Sequence, residues 1–360
     1  MLGLALVGVP LVAKAQTYTF VDLMPGGESY AKGISGYQQV GYAGEHAFLW
    51  SGTAASAVDL NPTGWGGSRA YAISGGQEVG YAENGGGSGH DHAMLWSGTA
   101  ASAVDLNPTG FTYSDGFGIS GGQQVGRAFN VSGYGHAMLW SGTAASAVNL
   151  NPSGFQYSLA WATSGDQQVG NAYNSSGNGF AMLWSGTAAS AVNLNPTGFA
   201  HSYAYGVSGG QQVGSGYGTA TGNQYHALLW SGTAASVVDL NPSGFTFSEA
   251  FGISGVLQVG DGYGPSTGNN NHALVWSGTA TSAVDLNNFL PSMYNHSVAT
   301  GIDGNGDIVG WAHNNSTNST DAILWVLVPE PTTVWLVALG LGVLFMARRW
   351  RSPMPSAPKH

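Results

Sequence analysis

Short apolar runs alternate with turn-forming residues along the whole chain, and the alternation has a fixed period. A Trp closes the segment His-Ala-x-Leu-Trp, or a variant of it, at positions 50, 96, 140, 184, 230, 276 and 325, with spacings of 46, 44, 44, 46, 46 and 49 residues. A Val-Gly pair recurs at Val40, Val79, Val125, Val169, Val213, Val259 and Val309. A Val-Asp/Asn-Leu triplet recurs at Val21, Val58, Val104, Val148, Val192, Val238 and Val284. Each period reads as four short strands: strand a is Ser-x-Ala-x-Gly-Ile-Ser, as in Ser29–Ser35, b spans 39–43, c spans 46–51 and d spans 57–60. The separators are turn chemistry: a Gly turn between a and b, Ser-Gly-Thr between c and d, and Asn-Pro-Thr/Ser-Gly between d and the next a. Four strands in roughly 40–45 residues is the size of a β-propeller blade.

The chain ends decide closure. The first repeat-like element, 17–23, is a lone strand d, and the last repeat has only a, b and c, 297–325. The lone strand completes the last blade and leaves no exposed edge between first and last. The expected fold is therefore all-β, a seven-bladed propeller of four-stranded blades over 16–325, closed by an N-terminal outer strand. Strand c is apolar on both sides, as stacked blades require, so Trp96 and Trp140 are expected inside. The Gly of strand b is expected to leave room for a large neighbour, the Trp.

The two ends read as addresses. Residues 2–13 are apolar and run into Ala13-Lys14-Ala15, a secretory signal over 1–15 with cleavage between Ala15 and Gln16. A linker over 326–333 carries Val328-Pro329-Glu330-Pro331. It is followed by an apolar stretch over 334–347, read as a transmembrane helix, and a basic tail over 348–360 that opens with Arg348, Arg349 and Arg351. This order resembles the PEP-CTERM sorting signal. The resemblance implies an exosortase-type membrane protease as partner, membrane attachment before processing, and delivery to the cell surface or exopolysaccharide matrix of a bacterium. The tail 352–360 is longer than such signals usually carry, and an ordinary membrane anchor is the alternative. The repeat itself resembles the HAF-type extracellular repeat family, through Ile-Ser, Val-Gly and His46-Ala47-Phe48-Leu49-Trp50. Later blades replace Phe by Met or Leu, and Phe180 and Asp321 stand in for the His. That resemblance adds location and architecture and no chemistry.

Composition narrows the function classes. Charged residues are 7% of the chain, against about 25% in ordinary soluble domains. Between Gln16 and Trp325 three bases, Lys32, Arg69 and Arg127, face seventeen acids, which speaks against nucleic acid as a partner. There is no cysteine, hence no thiolate chemistry.

No catalytic set, metal site or cofactor is expected. His46, His92, His136, His226 and His272 share one repeat position in separate blades, which suits a repeated structural hydrogen bond. His90-Asp91-His92 lacks a third ligand. The strand-d acids Asp59, Asp105, Asp239 and Asp285 become Asn149 and Asn193 elsewhere, which a catalytic carboxylate would not tolerate. Asp303-Gly304-Asn305-Gly306-Asp307 starts like a calcium loop but reaches Asn314 where a Glu is needed, and is read as a hairpin turn. The repeats read as near-identical except in one place, the b–c connections, which share a face with the d–a loops. That face offers Trp65, Phe111, Phe155, Phe199, Tyr217, Tyr225, Phe245 and Tyr263 among neutral Asn, Ser and Gly, a composition suited to glycan. The expected function is a non-catalytic binding module for exopolysaccharide, surface glycan or protein. A passive coat component and a propeller-type glycan lyase or hydrolase are the alternatives.

Overall fold

The computed structural model describes residues 16–24, 27–84 and 90–328. The expected signal peptide with Ala13 and Ala15, the Pro329-Glu330-Pro331 motif, the apolar stretch 334–347 and Arg348, Arg349 and Arg351 lie outside the described residues. No helix among the described residues is long and apolar enough to cross a membrane. Seven four-stranded sheets follow one another in chain order. Blades 1 to 6 occupy 29–59, 65–105, 111–149, 157–193, 199–239 and 247–285, and blade 7 occupies 294–327. The N-terminal strand Tyr18–Asp22 is the outer strand of blade 7, antiparallel to Ser319–Leu327 with Tyr18 opposite Leu327 and Asp22 opposite Ile323.

Strand d is shorter than its apolar pattern suggests, two residues (Val58–Asp59 in blade 1) in place of four. The turn before it explains why. Ala54–Ser56 forms one 3-10 turn, the Ser56 hydroxyl donates to the Thr53 carbonyl at 2.6 Å, and its oxygen accepts the Ser51 amide at 2.7 Å. Two residues then pair before Pro62 ends the run. The N-terminal strand is already extended at the positions equivalent to that turn and pairs over five residues.

Apolar cores form between blades. One joins Val40, Ala47, Leu49 and Leu60 of blade 1 to Ala70, Ile73, Ala82, Met94 and Trp96 of blade 2. Its equivalents run round the ring to the closing interface, where Leu23, Val309, Ala322 and Leu324 of blade 7 meet Ala31, Ile34 and Trp50 of blade 1. The seven repeated Trp side chains are at most 1% exposed. The strand-b Gly does not make room for them. A Cβ on Gly80 would lie 1.8 Å from the Arg69 carbonyl oxygen, so this Gly admits the backbone of its own blade's inner strand.

One polar contact crosses every interface. The buried first Ser of strand a accepts the amide hydrogen of the strand-c Ala of the preceding blade. Ser68 takes it from Ala47, Ser114 from Ala93, Ser158 from Ala137, Ser202 from Ala181, Ser248 from Ala227, Ser297 from Ala273 and, closing the ring, Ser29 from Ala322, all at 2.9–3.0 Å. Ser114→Ala strands the Ala93 amide in a dry interface, so the variant should lose about 1–3 kcal/mol in urea unfolding. An unchanged midpoint and slope would refute this role.

A second repeated contact has one odd member. Gln39, Gln124, Gln168, Gln212 and Gln258 each accept a turn amide through Oε1. In blade 2 the residue is Glu78. Its Oε2 accepts the Gly98 amide at 2.8 Å, and its buried Oε1 has no partner. Burial raises its carboxyl above the ordinary carboxylate range. The folded chain therefore holds this proton more tightly than the unfolded chain, and stability falls as pH rises from about 4.3 through the folded value. Glu78→Gln should raise the melting temperature at pH 7 and leave it nearly unchanged near pH 4, measured by circular dichroism at both.

Candidate functional site

Strand a lines the central channel, and every copy carries a register shift at the same place, between Ala31 and Gly33 in blade 1 and between Ala70 and Ala72 in blade 2. The skipped residues are Lys32, Tyr71, Phe117, Trp161, Tyr205, Phe251 and Thr300. A bulge leaves such a residue out of the ladder and re-aims its side chain, and these seven line the channel together. On one side of this ring the channel has a cavity of about 210 Å³. On the other it opens to about 590 Å³, where Asp261, Asn271, Val298 and Trp311 join the lining. Five of the ring residues touch in sequence, with centroid distances of 5.6 Å for Tyr71–Phe117, 4.5 Å for Phe117–Trp161, 6.0 Å for Trp161–Tyr205 and 5.4 Å for Tyr205–Phe251.

The wider cavity opens toward the b–c and d–a loops. These loops share a face, as their backbone bonds show: Gly44 to Glu28, Ala220 to Gly198, Ser266 to Gly244 and Asn315 to Met293. Toward that face, two residues before the bulge, strand a varies again, opposite a varying residue of strand b. The cross-strand pairs are Tyr30–Tyr42, Arg69–Tyr81, Asp115–Arg127, Leu159–Asn171, Tyr203–Ser215, Glu249–Asp261 and Val298–Trp311.

All three bases of the propeller meet at this mouth. Arg127 donates through Nε to Asp115 at 2.6 Å and through a terminal nitrogen to the Tyr157 hydroxyl at 2.8 Å. The Arg69 guanidinium lies 4.3 Å from the Tyr42 ring centroid, and its Nε has no acceptor. Lys32 Nζ lies 5.5 and 5.7 Å from the Tyr30 and Tyr42 centroids. Burial, and then the neighbouring Arg69 charge, lower its ammonium to about 8. Across the channel, Glu249 accepts from Ser215 Oγ at 2.8 Å and lies 3.5 Å from the Tyr205 hydroxyl, and burial raises its carboxyl. Asp261 accepts from Asn271 at 2.8 Å through Oδ2, while the buried Oδ1 has no partner. Burial, reinforced by Glu249, puts its carboxyl well above the usual range. On the rim, burial and then Asp115 and Glu83 push Asp91 up to about 6.

The aromatic residues expected on the binding face divide into two groups. Trp65, Phe111, Phe155, Phe199 and Phe245 are half-buried and pack against the inter-blade cores. Tyr217 and Tyr225 stand 5.3 Å apart, and Tyr225 continues to Tyr203 and Phe247 at 6.2 and 6.4 Å. Tyr263 lies opposite Phe247 on the same rim. The repeated histidines bond within their blades: His46 to Asp59, His92 to Asp105, His226 to Asp239 and His272 to Asp285 at 2.6–2.7 Å, and His136 to Asn149 at 2.8 Å. Asp303 Oδ1 accepts the Asn305 and Asp307 amides, which makes its segment a hairpin turn. No group of three or more potential metal ligands occurs among the described residues. Sequence reasoning missed the ring and the pairs outside it. The available signal was variation at two positions of strand a inside an otherwise repeated motif.

The PEP-CTERM protein-sorting motif matches residues 327–352. It marks an exported protein that is processed by an exosortase membrane enzyme and sorted to the cell envelope. No curated protein sequence matches the chain. Among solved structures, the fold is similar to a puromycin-hydrolysing peptidase from Mycobacterium tuberculosis, with a TM-score of 0.53 and 14% identity over 80% of this chain and 49% of that one. It is also similar to a puromycin hydrolase mutant complexed with PGG, with a TM-score of 0.52 and 14% identity over 77% and 47%. The chain thus spans about half the length of those enzymes. The β-propeller domain of the Trilobed protease from Pyrococcus furiosus matches with a TM-score of 0.52 and 10% identity over 86% and 95%. That domain is described as having an open velcro topology, whereas here the N-terminal strand closes the ring. At such identities the likeness shows the fold alone.

The lowered Lys32 ammonium has a direct readout. Its rate of acylation, followed by mass spectrometry against pH, should have a midpoint about two units below an ordinary lysine. A midpoint near 10.4 would contradict the described environment.

Proposed function

We propose that the chain is a non-catalytic recognition propeller, displayed at the bacterial cell surface or in its exopolysaccharide matrix, that binds glycan at the channel mouth. The sorting motif supports the location, and the likeness of the repeat to the HAF type agrees with it. One observation carries the binding reading: the repeats diverge on the inner strand where five aromatic rings meet around a cavity of about 590 Å³. Flat rings stack on sugar C–H faces, and Asn271 in the cavity lining suits hydroxyl groups. Aromatic surface at that mouth is not needed for closure, since Lys32 and Thr300 fill the same ring position in blades 1 and 7.

The pairing of Glu249 with Asp261 favours a second reading, a glycan hydrolase or lyase, because two facing carboxyls are the minimum for acid–base work on a glycosidic bond. Burial raises both carboxyls, a shift that suits a proton donor better than a base. The test is a pull-down of matrix polysaccharides and a glycan array with the full chain in mild detergent, beside Trp161→Ala. Binding by the parent and about tenfold weaker binding by the variant are expected. Retention of no polysaccharide would favour a passive coat component, and shortening of any polysaccharide would establish the enzyme.

A further inference from the structure

The propeller carries seventeen acids and three bases, and all three bases stand on blades 1 to 3 at one mouth of the channel. Arg127 has its carboxylate in Asp115. Lys32 and Arg69 have none within ion-pair distance among the described residues. The Arg69 charge acts on Lys32, and tyrosine rings flank both cations. The phenols of Tyr81, Tyr42 and Tyr71 and, beyond ion-pair distance, Glu83 favour the charged form of Arg69.

Two like charges held together in a cleft with no ion-pair partner cost the fold stability. For the acids across the channel, burial raises both carboxyls and so favours their neutral forms. A guanidinium has no such escape. Nor does the fold require these bases. At the position of Lys32 blade 7 has Thr300, and at the position of Arg69 blade 4 has Leu159. What the two cations lack is an anion from outside.

We propose that Lys32 and Arg69 form an anion subsite at the channel mouth that selects an acidic sugar, its carboxylate or sulfate held by the two cations and its ring lying against Tyr42 and Tyr71. This rests on the glycan-binding reading and adds the ligand's charge to it. The rest of the propeller surface is acidic and repels polyanions, so attraction is confined to the mouth and weakens with salt. On the far wall burial raises the carboxyls of Glu249 and Asp261, which lessens their repulsion of an anion.

The test uses the full chain in mild detergent and isothermal calorimetry with four probes: an oligogalacturonate, its methyl ester, a neutral malto-oligosaccharide and a sulfated malto-oligosaccharide. The ester keeps the ring and removes the charge. The variants Lys32→Thr and Arg69→Leu borrow residues that other blades of this chain already carry, and near-UV circular dichroism checks their folding. An acidic probe should bind at least about tenfold more tightly than its uncharged counterpart. Either variant should erase that preference, Lys32→Arg should keep it, and bound ligand should protect Lys32 from acylation. The better of the two acidic probes identifies carboxylate or sulfate as the anion. If neutral probes bind as well as acidic ones, or the variants keep the preference, the inference falls while glycan recognition stands. If no probe binds, both fall.

Discussion

The first serine of each inner strand holds the amide of an alanine in the blade before it, and this contact is made at all seven interfaces, the last joining the two ends of the chain. It is the polar contact that every apolar interface contains. Strand c is buried on both faces, so its alanine amide has no water to turn to and must be met by the neighbouring blade. The serine meets it only when the blades stand in one register, and in that register Trp50 or Trp96 packs against the preceding blade's apolar residues. Closure therefore depends on the same contact as stacking. The N-terminal strand supplies the outer edge of blade 7, and Ser29 fastens that blade to blade 1.

The bulge on strand a separates scaffold from site. The bulged residue is absent from the ladder register, and the opposing glycine lets the two backbones approach until even a methyl group would clash. The released side chain is relieved of packing duty and is free to differ from blade to blade. Tyr71, Phe117, Trp161, Tyr205 and Phe251 use that freedom for a contiguous aromatic wall, Lys32 for a charge. The residue just before the bulge, such as Ala31 or Ala70, is fully buried and does not vary in this way.

Blades 1 to 3 hold the three cations, with Asp115, Asp91 and Glu83 close by, and blade 6 holds the facing pair Glu249 and Asp261, whose carboxyls burial raises. An acidic propeller thus gathers its three bases at one mouth, a property that net charge conceals.

Much of this architecture was legible in the chain. The period of the Trp residues, the turn residues between runs and the lone first strand led to seven closed blades, because turn chemistry and apolar alternation are local properties. The ring of bulged residues was harder to read, since its members share no chemistry and only their place in the motif unites them. The glycine of strand b was misread for a related reason: composition shows that space is needed, but only the register shows that backbone takes it. By itself the sequence determined the repeat, the count, the closing strand and the sorting motif. The tertiary structure alone decided that Lys32, Arg69 and Arg127, dozens of residues apart, share one mouth and that Glu249 faces Asp261, because a ring brings corresponding positions of distant repeats to a common axis.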